Sequence, residues 1–150
     1  MPWRTITSDD ITNDLTPVEI AALQNLQGAN DQLAVKLTDT INEVRDAIVA
    51  GGGQLDQDGT VPDLLRNDTI NITRWLWLIS FPQLKSLQTT ARQSAFLASR
   101  TRIDNVSTGK PKVPPPANPL TTTKSPVNAV AIARPGHRVR THSFDRLGET

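Results

Sequence analysis

The 150-residue chain has no cysteine, which excludes a disulfide framework and a thiolate zinc site. Its only histidines are His137 and His142. Neither stands at helical spacing from a second ligand or beside acids that would complete a metal site. We therefore expect neither a metal ion nor another cofactor.

Long apolar runs are also lacking. The longest, Trp75 to Ile79, is far shorter than the ~20 residues that a membrane-spanning helix needs. The first residues, MPWRTITSDD, do not show the basic and then apolar order of a secretory signal. These features favour a soluble intracellular protein.

Sequence signals of catalysis are missing as well. The Gly51–Gly53 run is followed by Gln-Leu-Asp, whereas a phosphate loop needs a Lys-Ser/Thr pair there. Asp56–Gly59 resembles part of a calcium loop, but Leu65 would occupy the position of the bidentate glutamate. No pair of acids is marked out as a general acid and base, so we do not expect an enzyme.

Capping signals and periodicity predict helices in the first half of the chain. Thr7 or Ser8 can cap a short helix, and Thr16–Glu19 is a capping box with proline at the first helical position. A longer helix should start at Asn30 or Asp31 and end at Gly51–Gly53. Its apolar stripe consists of Leu33, Leu37, Ile41, Val44 and Ile48.

Two further helices are predicted before residue 104, and no strand of ordinary length. The first should be capped at Thr60–Asp63 and end before Phe81-Pro82, with one face made of Leu65, Thr69, Ile72, Leu76 and Ile79. The second should use Leu84, Leu87, Ala91, Ala95 and Ala98, and its Arg92, Arg100 and Arg102 would suit the negative end of the helix dipole. The predicted fold is all-α: a small bundle of about four helices over residues 1–103.

The last third of the chain differs in composition and charge. Residues 104–150 contain seven prolines and a net charge of +4, whereas residues 1–80 carry five basic and twelve acidic residues. Such a segment cannot bury a core alone. We expect a long, extended, basic, Pro-rich C-terminal arm that partners order. Within it, Val127–Ala133 has alternating Val130 and Ile132 and can add as a strand to a sheet edge.

The aromatic and basic residues leave alternatives open. Trp75 and Trp77 could stack on nucleic acid, but their apolar neighbours favour a core or a subunit interface. Trp3 lies outside the helical pattern and can anchor the N-terminal arm to a neighbour. The stretch Arg134–Arg140 could bind phosphates, dock on an acidic protein surface, or remain solvated. Interleaved apolar residues favour a protein groove: Val139, Phe144 and Leu147.

The order of these elements resembles the head–tail connector, or neck adaptor, family of tailed double-stranded-DNA bacteriophages. The resemblance covers about residues 6–116 and is carried by four segments together with the helix order: Val61-Pro62-Asp63-Leu64-Leu65, Phe81-Pro82, the Ala91–Leu97 run A-R-Q-S-A-F-L, and Ile103–Lys110. It implies a structural protein of the virion neck, assembled in the host cytoplasm. Such proteins form a ring, usually of twelve copies, under the portal, extend the DNA channel and receive the next neck or tail component.

The resemblance also implies partners and contact residues. C-terminal segments of the family reach up to the portal protein, which makes the expected portal-binding residues Arg134, Arg138, Arg140, Phe144 and Leu147. The subunit interface of the ring is expected at Trp3, Trp75, Trp77, Val130 and Ile132. DNA would pass through without sequence-specific binding, and no membrane is involved.

Two other classes remain open from the sequence. One is a DNA-binding helical oligomer, such as a small terminase subunit or an antitoxin-like regulator with a basic tail. The other is an unspecific scaffold or chaperone-like factor. Duplex binding with a steep salt dependence would favour the first of these over a connector.

Overall fold

The computed structural model describes residues 2–120, and within them the protein is broadly all-α, as predicted. The α-helices are α1 (Ser8–Thr12), α2 (Pro17–Gln24), α3 (Ala29–Ala50), α4 (Arg66–Ile79) and α5 (Thr90–Ser107). Two 3-10 helices, Asp63–Leu65 and Pro82–Leu87, precede α4 and α5. Two short strands, β1 (Trp3–Thr5) and β2 (Thr60–Pro62), form an antiparallel pair.

Both predicted caps at the start of the chain are present. The Thr16 amide donates to Glu19 Oε2 at 2.8 Å, and the Glu19 amide donates to Thr16 Oγ1 at 3.4 Å. Thr7 caps α1 in the same way, with its amide donating to Asp10 Oδ2 at 2.9 Å. These reciprocal bonds satisfy amides that have no partner within the helix.

Helix α3 follows the predicted pattern, because all five residues of its apolar stripe are buried. The C-terminus of α3 also shows why glycine is needed at Gly51, in addition to ending the helix. A Cβ at Gly51 would lie 2.1 Å from the carbonyl oxygen of Val106. Only glycine therefore lets the end of α3 approach the end of α5 so closely.

Helix α4 packs against both α3 and α5, which also contact each other, and it buries more than one face. Thr69, Thr73 and Leu78 are fully buried, whereas Ile79 is 45% exposed. The predicted stripe was therefore wrong at Ile79, because a helix packed on two sides does not follow a single apolar stripe.

The start of α4 also differs from the prediction. Thr60 does not cap a helix; its hydroxyl donates to the Gln57 carbonyl at 2.6 Å. Thr60–Pro62 instead pairs with β1, with Arg4 opposite Val61, and α4 begins only at Arg66. Pairing with an N-terminal segment 55 or more residues away could not be read from local signals.

The predicted alanine face of α5 was wrong. Ala91 and Ala98 are exposed, whereas Ser99, Ile103 and Val106 are buried. Branched apolar side chains bury more area than alanine, so the helix turns them toward the core. Leu84 and Leu87 belong to the separate 3-10 helix.

The packed domain extends beyond its predicted limit at residue 103. Helix α5 continues to Ser107, and the following segment to Leu120 has no regular secondary structure but packs back on the bundle. Pro116 is buried, Val113 packs against the core, and the Leu120 amide donates to the Leu55 carbonyl at 2.8 Å. The first part of the expected arm is thus bound to its own subunit.

Candidate functional site

Metal-ligating side chains do not cluster within residues 2–120. That part of the chain has no group of three or more His, Cys, Asp or Glu placed to hold a metal ion. A cleft of about 320 Å³ lies between α1, α2 and α3, and the only ionisable residue among those lining it is Asp9. This cleft therefore brings together no acid–base pair.

The carboxyl group with the largest change in acidity has a structural role. Arg92 donates a hydrogen bond to Glu19 and, with the Thr16 cap, lowers the pKa of Glu19 to about 2. The pKa of Asp10 is lowered for a similar reason, chiefly the hydrogen bond from the Thr7 amide. Both carboxylates hold helix ends in place, so neither resembles a general base, whose pKa would lie near the working pH.

A half-buried aromatic contact joins α4 and α5. The rings of Trp75 and Phe96 stack with centroids 6.0 Å apart and an angle of 28° between their planes. The Arg100 guanidinium lies 5.6 Å from the centroid of Phe96, within cation–π range. Ile79 and Leu97, at 45% and 55% exposure, follow Trp75 and Phe96 along the same helices. We call these five residues the aromatic patch, a candidate surface for a neighbouring copy.

Trp77 does not share that surface. It is only 1% exposed, and its indole N–H donates to the Ala29 carbonyl at 2.9 Å. The expectation that Trp77 lies at a subunit interface is therefore corrected: it belongs to the core of its own subunit. The two tryptophans project to different sides because they are two residues apart on a helix.

Trp3 lies on β1 and packs partly against the core of its own chain. Its indole nitrogen is buried and has no hydrogen-bond partner among residues 2–120. The structure thus places Trp3 apart from the aromatic patch, on a strand that the sequence did not indicate.

The arginines of α5 act through ion pairs rather than through the helix dipole. Arg92 lies in the first turn of α5, opposite to the predicted end, and the last turn has no basic residue. Each arginine binds a carboxylate on a different helix: Arg92 to Glu19 of α2 at 2.8 Å, Arg100 to Glu43 of α3, and Arg102 to Asp68 of α4 at 3.2 Å. No local sequence signal identifies these partners, which are 34 to 73 positions away.

Arg45 is a structural residue that sequence reasoning missed. Its side chain is only 8% exposed and donates to the carbonyls of Asp56, Gln57 and Thr60 and to the Asp58 carboxylate. It organises the loop that carries Leu55, to which the C-terminal segment is bound. A lone arginine on an otherwise apolar helix face was the only available signal.

Seven of the residues predicted to make contacts lie outside the described part of the chain. They are the portal-binding candidates Arg134, Arg138, Arg140, Phe144 and Leu147 and the interface candidates Val130 and Ile132. Of the described candidates, the structure separates Trp3, Trp75 and Trp77 into three different surroundings.

Two further findings bear on what the chain is. None of the helices within residues 2–120 is long and apolar enough to cross a membrane. Comparisons with models of protein families, with curated proteins and with solved structures found no match.

Proposed function

We propose that this chain is a structural subunit of a bacteriophage neck, forming a ring beneath the portal that connects the head to the tail and extends the DNA channel. The order of helices and segments over residues 6–116 supports this proposal through the family resemblance. The distribution of charge on the folded domain supports it independently.

The observation that carries the proposal is that every arginine of residues 2–120 is used within the subunit. All seven lie within 4.0 Å of a carboxylate: Arg4, Arg45, Arg66, Arg74, Arg92, Arg100 and Arg102. A DNA-binding surface depends on cations that are free to displace counterions from phosphates. Of the cations in this part of the chain, only Lys36, Lys85, Lys110 and Lys112 form no ion pair with residues 2–120, and this favours a structural role over DNA binding.

The outer face of α3 has the opposite character. Asp31, Asp39 and Asp46 are exposed and form no ion pair with any residue of 2–120. The helix has 22 residues, which corresponds to a length of about 33 Å. We propose that this acidic face lines the channel, where it would repel DNA phosphates and let the duplex pass without adhering.

The excess of basic residues lies after Leu120, in Lys124, Arg134, Arg138, Arg140 and Arg146. Residues 121–150 can span about 100 Å when extended. We propose that they reach the portal protein, where Arg134, Arg138 and Arg140 meet acidic groups and Phe144 and Leu147 fill an apolar groove. The charge difference between domain and arm would orient each subunit in the neck.

Co-expression with the portal protein of the same genome tests the proposal. The two proteins should co-purify, and electron microscopy of the complex should show a ring stacked coaxially on the portal. Alone, the protein should not shift duplex DNA at physiological salt. Binding of duplex DNA with a steep salt dependence, together with no association with the portal, would instead establish the DNA-binding alternative.

A further inference from the structure

The two-stranded sheet has one closed edge and one open edge. The amide of Asp63 donates to the Pro2 carbonyl, and Arg4 lies opposite Val61. In an antiparallel pair this pattern makes Arg4 and Val61 exchange both backbone bonds, while the backbone groups of Trp3 and Thr5 point away from β2. Those outward groups have no hydrogen-bond partner among residues 2–120.

The outer edge of β2 is closed by contrast. The Thr60 carbonyl accepts a hydrogen bond from Arg45 Nη1 at 2.9 Å, and Pro62 has no amide hydrogen to donate. All of β2 is buried, whereas Arg4 and Thr5 of β1 are exposed. Only the β1 edge can therefore accept another strand.

We propose that the open edge of β1 accepts residues 127–133 from a second copy of this chain as a third, antiparallel strand. The segment reads V-N-A-V-A-I-A, with small or β-branched residues that suit strand addition. Alternation places Val130 and Ile132 on the face of Trp3 and Thr5, where Trp3 packs toward the core, and Ala131 on the face of Arg4.

The position of Leu120 favours a second copy over the same chain. Leu120 is bound to Leu55, in the loop that Arg45 holds on the β2 side of the sheet. The six residues 121–126 span about 20 Å when extended. Within one chain they would have to lead from the β2 side to the far edge of β1, whereas in the proposed ring a neighbouring copy would supply that edge. The choice of a second copy rests on the proposed ring, but the open edge does not.

The absence of cysteine allows a specific disulfide test. In the proposed register Arg4 and Ala131 form a non-hydrogen-bonded pair with Cα atoms about 4.5 Å apart, close enough for a disulfide. Two single variants, R4C and A131C, are mixed under mild oxidation, with a mass tag on one of them. The experiment is done on the protein alone at high concentration and on material co-expressed with the portal protein.

We expect a disulfide-linked heterodimer from R4C and A131C. A matched mixture of R4C and V130C should form at least about tenfold less of the disulfide-linked heterodimer, because Val130 projects to the opposite face. Equal cross-linking of the two pairs, or no cross-link in either preparation, would overturn the proposal. The proposal would also be overturned if the double variant R4C/A131C formed its disulfide only within one chain and gave no linked dimer.

Thr5→Pro provides a second test that leaves the β1–β2 bonds intact. It removes the outward amide of Thr5, so it should reduce the heterodimer by about tenfold while the helical circular dichroism is unchanged. Undiminished cross-linking would contradict strand addition. Loss of the cross-link with retained portal binding would leave the proposed function standing, which keeps the two proposals distinguishable.

Discussion

Arg92 and Glu19 join the first turn of α5 to the first turn of α2, with 2.8 Å between Arg92 Nη1 and Glu19 Oε1. Both side chains are largely buried, at 22% and 13% exposure. The same carboxylate also completes the Thr16 capping box. One acidic residue thus stabilises the start of its own helix and fixes a helix that begins 71 positions later in the chain.

This contact predicts a specific sensitivity to acid. The pKa of Glu19 is lowered to about 2 from an ordinary value of 4.5, so its ionised form stabilises the folded state. The stabilisation is fully present above about pH 4.5 and is lost as the pH falls toward 2. Because solvent screens this partly exposed pair, we expect a contribution on the order of 2 kcal/mol.

Urea denaturation at pH 7 and at pH 3 checks this prediction in the wild type, in Glu19→Gln and in the control Asp39→Asn. Glu19→Gln should be less stable at pH 7 and should lose less stability on acidification than the wild type. Asp39→Asn should behave like the wild type, because Asp39 is exposed and forms no ion pair within residues 2–120. A Glu19→Gln variant that loses as much stability as the wild type between the two pH values would contradict the assignment.

Trp77 and Trp75 should respond differently to truncation. Trp77→Ala should lower the free energy of unfolding by about 3–5 kcal/mol, because it opens a cavity and leaves the Ala29 carbonyl without its donor. Trp75→Ala, at the half-buried aromatic patch, should cost less than about 2 kcal/mol but weaken ring assembly. Chemical denaturation and light scattering measure the two effects. Equal destabilisation by both variants would contradict the assignment of Trp77 to the core and Trp75 to the surface.

Arg45 should be required for the loop that receives the C-terminal segment. Arg45→Met keeps most of the buried volume but leaves the carbonyls of Asp56, Gln57 and Thr60 without their donor, so we expect a loss of about 2–4 kcal/mol. The Leu120 amide donates to the Leu55 carbonyl of this loop. Hydrogen exchange of the Leu120 amide should therefore become faster in Arg45→Met. The control Arg4→Met breaks an exposed pair with Asp63 and should cost less than about 1 kcal/mol. If Arg45→Met lowered the free energy of unfolding as little as Arg4→Met does, the role of Arg45 in holding the loop would be contradicted.

Truncation should separate the bound segment from the arm. Deleting residues 121–150 should leave the helical signal and the unfolding free energy nearly unchanged, but abolish portal attachment. Deleting residues 108–150 also removes Val113, Pro116 and the hydrogen bond from Leu120 to Leu55. This longer deletion should lower the free energy of unfolding by about 1–3 kcal/mol more than the shorter one. Circular dichroism, denaturation and co-purification with the portal protein measure these effects. A large loss of helix in the shorter deletion would contradict the position of the domain boundary.

The sequence by itself determined the features that depend on neighbours within one or two turns. The cap at Thr7 or Ser8, the capping box at Thr16 and the apolar stripe of α3 were predicted, and Thr7, Thr16 and the stripe occupy these roles, because capping bonds and helical periodicity act over three or four residues. Composition likewise separated a helical front from a basic, Pro-rich end.

Only the tertiary structure decided the features that depend on distant partners. The pairing of β1 with β2, the inward position of Trp77 and the ion pairs of Arg45 and Arg92 join residues that lie 13 to 73 positions apart. Whether an arginine or a tryptophan faces solvent, a carboxylate or the core depends on what packs against it. The open edge of β1 belongs to the same class, since an edge exists only once a strand has found its first partner.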